Sequence, residues 1–295
     1  MRTIVYAFWG RRENVELQLP FIHRILADNP TMEFEGWDLA RDPDDSQYLR
    51  GLTERDRFRV RTDFYQGDGK AMRGQNGVWR HYAGKEYRDT VFLKLDDDVV
   101  FIETEGIPGL IQAATDKPNS VISALIINNG GCTRHIPAVW DIFKSLEPTL
   151  GKDATPYPKL ASLLAVHRSR EYAELCHRWF HTNWRHLTDQ TPKLIPCEDW
   201  LSINAIAYTH TVGTRIASRI GQPSPERIVA GRPQTRLGDE GSANMQKRYI
   251  YTGVVCGHLT FGPQIQSPAN PDGMDTAVLT ELRKLYADIT RQYLA

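Results

Sequence analysis

Along the first half of the chain, short apolar runs alternate with stretches whose apolar residues recur at helical spacing. "TIVYAFW" predicts a first strand. Val15, Leu19, Ile22 and Leu26 in "ENVELQLPFIHRILADN" predict a helix that Pro20 either kinks or begins. "MEFEGWDLA" predicts a second strand and "RDPDDSQ" a turn-rich connection. "DRFRVRTDF" predicts a third strand, "KAMRGQNGVWRHYAG" a helix, "TVFLKL" a fourth strand and "NSVISALIIN" a fifth. Strands alternating with helices imply βαβ units and an α/β fold, with a mainly parallel central sheet flanked by helices. In such sheets ligands gather beyond the carboxyl ends of the strands.

The second half is less regular. "RSREYAELCHRWFHTNWRHL" predicts a helix, and "CEDWLSINAIAYTH" predicts another, entered through two acidic residues that complement a helix N-terminus. Residues 221–247, rich in Gly, Pro and Arg, predict a long loop. The last helix, in "MDTAVLTELRKLYADITRQYL", carries Val278, Leu282, Leu285 and Ile289 on one stripe. The expected organisation is a single domain over 1–295, with a half at 1–130, a second at 131–262, and a tail and helix at 263–295.

With 295 residues, 41% hydrophobic and 24% charged, the chain is long enough for a sizeable core. Thirty-six basic residues balance thirty-six acidic ones, which excludes a global field pulling the chain toward nucleic acid or an anionic membrane. Cys132, Cys176, Cys197 and Cys256 form no C-x-x-C pair, so neither a disulfide framework nor a zinc site is expected. "MRTIVYAFWG" is too short and too aromatic for a signal peptide, and no run approaches the ~18 apolar residues of a membrane span. The expected location is the cytoplasm.

The chemistry begins at "VFLKLDDDVVFIE", residues 91–103, where an apolar run meets three aspartates and resumes. Like charges there need either water or a positive partner. If the segment is extended, Asp96 and Asp98 share a face, and paired carboxylates suit a hard cation such as Mg²⁺ or Mn²⁺. A solvated turn capping a helix near Thr104 is the alternative. The flanking apolar residues favour metal.

An apolar strand ending in D-D-D and then "VVFI" resembles the D-x-D segment of GT-A glycosyltransferases, a Rossmann-like family. Three further stretches are similar to that family. "GDGKAMRGQNG" resembles its G-K-A-x-x-x-N-x-G segment at Gly69, Lys70, Ala71, Asn76 and Gly77, with one extra residue before the asparagine. Glycines, backbone N–H groups and a lysine at a helix start also make an anion cradle in their own right. "CEDWLSINAIA" resembles the acidic-pair helix of inverting members, in which one carboxylate deprotonates the acceptor hydroxyl. "GVVCGHLTFGP" resembles the segment that presents a histidine to the metal.

The resemblance implies a metal-dependent transferase. It would move a sugar from a nucleotide diphosphate sugar, a UDP-sugar by expectation, to a hydroxyl acceptor with inversion. Residues 1–130 would be the nucleotide-sugar half and 131–262 the acceptor half. Asp98, Asp96 through a looser contact, and His258 would hold Mn²⁺ (or Mg²⁺). Asp199 would be the base, with Glu198 as an acceptor contact or a substitute. Trp9, Gly10, Arg11, Asp38, Lys70, Asn76, Asp96 and Asp97 would line the nucleotide sugar. "NNGGCTRHIP" matches nothing in the family pattern.

Arg55, Arg57, Arg59 and Arg61 fall at every second position, so in a strand they share a face. That stripe fits either a phosphate-bearing acceptor such as hydroxymethylated DNA or an edge strand guarded by charge. A protein hydroxyl and a glycan are equally open as acceptors. A sugar-phosphate nucleotidyltransferase would need a Gly-rich loop after the first strand, where "FWGRRENVE" has one glycine. A non-catalytic nucleotide- or carbohydrate-binding protein on the same fold is the rival of a different class.

Overall fold

The opening apolar run forms β1 (Arg2–Trp9), and its alternate residues feed two cores. Ile4, Tyr6 and Phe8 face one side of the sheet, and Val5, Ala7 and Trp9 face the other. A strand covered on both faces reads as a continuous apolar run. The computed structural model describes residues 2–52, 54–67, 71–146 and 167–295.

The chain continues through α1 (Arg12–Asp28), β2 (Met32–Asp38), α2 (Pro43–Arg50), β3 (Phe58–Arg61), α3 (Ala71–Tyr82), β4 (Thr90–Asp96), β5 (Val99–Ile102), α4 (Ile107–Asp116) and β6 (Ser120–Ile127). There follow α5 (Gly130–Thr133), α6 (Pro137–Leu146), α7 (Arg170–Thr188), β7 (Leu194–Pro196), β8 (Ala205–Thr209), α8 (His210–Arg219), β9 (Ile228–Val229), β10 (Arg232–Pro233), α9 (Asp239–Asn244), β11 (Lys247–His258) and α10 (Thr276–Leu294).

Among the described residues, a nine-stranded mixed sheet runs β3-β2-β1-β4-β8-β6-β11-β5, with β7 paired to β11 off this path. β1, β2, β3 and β4 are mutually parallel, β8 opposes both β4 and β6, and β11 is parallel to β6. Most strands therefore point one way. α3 and α8 cover one face; α1, α4, α7 and α10 cover the other. Strands from both halves of the chain interleave, so the two halves share one sheet.

The sheet is curled, and the chain's own connectivity requires it. Three strands separate β4 from β5 in the sheet order. Flat, that distance is ~19 Å at ~4.8 Å per strand. Asp97 and Asp98 alone join them, a reach of at most ~11 Å. Curling brings the end of β11 against this turn, where the Leu259 N–H donates to the Asp98 carbonyl at 2.7 Å.

Several local expectations need correcting. α1 runs through Pro20, which neither begins nor ends it. "RDPDDSQ" is not a turn but the start of α2, with Asp42 as N-cap and Pro43 in the first turn, residue types that serve a helix start as well as a turn. "CEDWLSINAIAYTH" is not a helix: residues 197–204 are irregular, Ala205–Thr209 is β8 and only His210 begins α8, because the gap between β4 and β6 is filled by a strand. The loop at 221–247 contains the β9–β10 pair and α9.

The arginine stripe breaks up as well. Only Phe58–Arg61 is strand. Arg57 has φ +67° and donates to the Asn29 and Met32 carbonyls, while Arg61 pairs with Asp63 and Glu35. β3 is an edge strand, in keeping with the charge-guarded reading. The four cysteines are free and buried. Among the described residues, no helix is long and apolar enough to cross a membrane.

Glu103, just after β5, is 5% exposed. Burial raises its carboxyl to about 7, even though the Gly106 N–H donates to it. The folded state therefore holds this proton more tightly than the unfolded chain. Its stabilisation is full below the unfolded value and is lost as pH rises through the folded one. Between pH 4.5 and 7 that amounts to up to about 3 kcal/mol. Glu103→Gln is expected to flatten this part of the melting-temperature profile. An unchanged pH slope in the variant would remove Glu103 from the account.

Candidate functional site

β1, β4 and β11 end on one edge of the sheet, and the residues that follow them wall a cleft of about 390 Å³. A second cleft of about 350 Å³ adjoins it, and Phe8, Arg11, Gln75, Asp97, Asp98 and Gly262 border both. The triple aspartate lies between them.

Three aspartates in a row take three environments because β4 stops at Asp96 and Asp97–Asp98 form a turn. The face-sharing of Asp96 and Asp98 expected for an extended segment is therefore absent. Arg11, just after β1, spans the turn. Its Nε and Nη2 donate to the two oxygens of Asp97 at 2.9 and 2.6 Å, and Nη2 also donates to Asp98 Oδ2 at 2.7 Å. Gln18 in α1 closes the turn from below, donating to the Asp96 and Val99 carbonyls at 2.8 and 2.9 Å.

Asp96 instead bonds Lys94 Nζ and accepts from Asn204 Nδ2 at 3.2 Å. Lys94 is 1% exposed and also donates to the Ile203 carbonyl at 2.8 Å. Burial raises the Asp96 carboxyl, Lys94 opposes that shift, and the Asp98 charge adds to it.

Asp98 Oδ1 is buried and accepts no hydrogen bond. It faces His258 Nε2 at 3.4 Å. His258 Nδ1 lies 3.3 Å from the Asn128 carbonyl, which can only accept, so Nδ1 carries the proton in a neutral ring. In that neutral state two acceptors face each other, and a proton on Nε2 or a metal cation between them would satisfy both. Burial would raise the Asp98 carboxyl, but the His258 ring, in its protonated state, and the Arg11 guanidinium hold it far below the usual carboxylate range.

The "NNGG" segment is the hub that orients this pair. Asn128, at φ +59°, exchanges side-chain hydrogen bonds with Gln264 at 3.0 and 2.9 Å. Asn129 donates to Asn204 Oδ1 and to the Ser202 carbonyl, each at 3.0 Å. One asparagine thus supports His258 and the next supports the partner of Asp96.

The fit to a divalent ion is partial. Among the described residues, no three or more His, Cys, Asp or Glu side chains are grouped to hold a metal together. The expected set of Asp98, Asp96 and His258 is not assembled, because Asp96 is turned to Lys94. The orphaned Asp98 oxygen and His258 Nε2 do suit a cation that takes its remaining ligands from substrate phosphates and water, the usual habit of Mg²⁺ sites.

Of the other expected residues, Trp9 and Gly10 border the smaller cleft, and the rest fall elsewhere. The Trp9 indole is fully buried against Phe34 and Phe58, with its N–H donated to Gln18 at 2.8 Å. The ring comes so close to Gly36 that any Cβ there would overlap it. Trp9 nevertheless contributes to the wall of the smaller cleft beside Gly10. Asp38 has no exposed side-chain surface and accepts from Ser46 Oγ at 2.6 Å and Arg50 Nε at 3.1 Å, tying β2 to α2. It borders neither cleft, whereas Asp42 and Asp45 line the smaller one. Gly69 and Lys70 lie outside the described residues.

Asn76 borders neither cleft, but Gln75 lines both. The extra residue before the asparagine carries Asn76 ~100° around α3 from the position that meets the site.

The acidic pair 198–199 is displaced too. Asp199 pairs with Arg134 at 3.1 Å and lines neither cleft, and Glu198 lines a separate hollow beside β7 and β11. Asp239 and Glu240 of α9 stand in the larger cleft instead. Trp79 Nε1 donates to Asp239 at 3.2 Å, and Arg232 approaches Glu240 at 3.6 Å. Burial raises the Glu240 carboxyl. Asn244 locks α9 in place by exchanging hydrogen bonds with both backbone groups of Leu201, at 2.9 and 2.8 Å.

Of the residues missed by sequence reasoning, Lys94 left a trace as a lone charge inside an apolar strand. Gln18, Gln75, Asn129 and Asn204 left none. No protein-family model matches this chain, and no curated protein matches it.

Proposed function

We propose that the chain is a metal-dependent glycosyltransferase, acting on a nucleotide diphosphate sugar (a UDP-sugar in the first instance) and a hydroxyl acceptor. The observation that carries this reading is the buried, unpartnered Asp98 Oδ1 facing His258 Nε2 at the carboxyl ends of the strands. Asp98 and His258 would hold Mn²⁺ or Mg²⁺. When bound, the ion would offset the charge that develops on the leaving diphosphate.

The chain's own groups supply the rest. Arg11 carries positive charge between the two clefts, where the diphosphate would lie. Lys94 and Asn204 fix Asp96 so that it borders the cleft without joining Asp98. Glu240, with its raised proton affinity, would accept the proton of the acceptor hydroxyl, assisted in position by Asp239. This moves the base role away from Asp199, which is occupied by Arg134.

A thermal-shift panel of UDP, GDP, CDP and ADP, each with and without Mn²⁺, tests the donor site. One diphosphate is expected to raise the melting temperature by roughly several degrees, and only with the metal. No shift with any nucleotide would reject the reading. A metal-dependent shift without sugar transfer to any acceptor class would instead identify the non-catalytic binding protein.

A further inference from the structure

Among the described residues, Arg11 is the one cation that bridges two of the three aspartates, and it does so incompletely. Nη2 engages Oδ2 of Asp98 and leaves Oδ1 unpartnered toward His258. The guanidinium is reachable from the clefts. Its side chain is 38% exposed against 12% for Asp98. Arg11 is also the N-cap residue of α1, yet its side chain makes no capping hydrogen bond, so its departure costs the helix nothing.

We propose that Arg11 is a resident counter-cation. It holds Asp97 and Asp98 while no divalent ion is bound, and it passes to the diphosphate when one binds. The proposal rests on the metal-dependent reading above. An ion seated between Asp98 Oδ1 and His258 Nε2 would repel a guanidinium held on the other oxygen of the same carboxylate. Asp97 would remain as a tether on one side, and the two clefts that Arg11 borders offer the phosphate oxygens on the other. The planar fork of arginine suits both partners, since carboxylate and phosphate each accept it through two oxygens. Exchange of one anion for another leaves neither the arginine nor the aspartates unpaired at any stage. It also keeps the empty site from collapsing under its own negative charge.

The test is a Mn²⁺ titration followed by the electron paramagnetic resonance signal of the free ion. Wild type, Arg11→Met and Arg11→Lys are titrated without nucleotide and again with UDP. Without UDP, Arg11→Met is expected to bind Mn²⁺ at least about tenfold more tightly than wild type, with Arg11→Lys between them. In saturating Mn²⁺, UDP affinity is expected to fall in the order wild type, Lys, Met. The Met variant, left with two unpaired carboxylates, should melt lower than wild type and recover more on adding Mn²⁺. A variant that folds only in Mn²⁺ supports the proposal in the same way. If Arg11→Met does not fold in either condition, the order of wild type and Arg11→Lys decides.

Equal Mn²⁺ affinities in wild type and the folded variants would overturn the counter-cation role while leaving the metal site standing. Weaker Mn²⁺ binding in the variants would also overturn it. No Mn²⁺ binding by any of the three proteins, with or without UDP, would remove both the proposal and the metal-dependent reading.

Discussion

Asp98→Asn is expected to abolish metal-dependent donor binding and to lower transfer at least about 100-fold, while leaving the fold intact. A drop of that size corresponds to about 2.7 kcal/mol of lost transition-state stabilisation, a modest share of what Lewis-acid assistance supplies. The fold should survive because asparagine suits the vacated geometry. Its amide oxygen can accept from Arg11 Nη2, now 2.7 Å from Oδ2, and its NH₂ can donate to His258 Nε2, 3.4 Å from Oδ1. The amide would then supply the proton that the carboxylate lacks, so the melting temperature without metal should stay close to wild type. The gain from Mn²⁺ plus nucleotide, about 2.7 kcal/mol at a hundredfold excess over the dissociation constant, should vanish. Near wild-type turnover in this variant would show that no catalytic ion sits on Asp98.

Glu240→Gln is expected to lower kcat by about 100- to 10,000-fold, the usual contribution of a positioned general base, with donor binding unchanged. As the proposed base, Glu240 would work only when deprotonated, and burial raises its carboxyl. The rate should therefore rise with pH through a limb lying above the ordinary glutamate range, and the variant should lack that limb. Asp199→Asn gives the contrast. It loosens the 3.1 Å pair with Arg134, a partly exposed contact worth at most about 1 kcal/mol of stability, and should leave kcat near wild type. The reverse pattern, with kcat lost in Asp199→Asn and kept in Glu240→Gln, would return the base to Asp199 and require that segment to move.

Much of the architecture was legible in advance. β1, β4 and β6 stand where near-continuous apolar runs place them, since strands covered on both faces need no polar alternation, and β2 stands where expected with apolar residues alternating with Glu33 and Glu35. α1, α3, α7 and α10 follow their helical stripes, and in α10 Leu282 and Ile289 are buried as expected. β8 was not legible. "SINAIAYT" reads as part of a helix, and only the vacancy between β4 and β6 makes it a strand. α2 was missed because Asp and Pro mark turns and helix starts alike.

By itself the sequence determined that an α/β sheet carries an acidic cluster at the end of a buried strand, and that His258 lies in a late apolar segment. Those features depend on local pattern, on the side-chain period of a strand and on the cost of burying charge. Only the tertiary structure decided which groups meet. The two-residue reach between β4 and β5 curls the sheet until His258 faces Asp98. Lys94 then claims Asp96, Arg11 claims Asp97, Arg134 claims Asp199, and the Asn244–Leu201 clasp brings Glu240 to the cleft. Each of these pairings except Lys94–Asp96 joins residues distant in the sequence. Their choice rests on which buried charges lie close enough to neutralise one another, and that distance is set by the closure of the sheet.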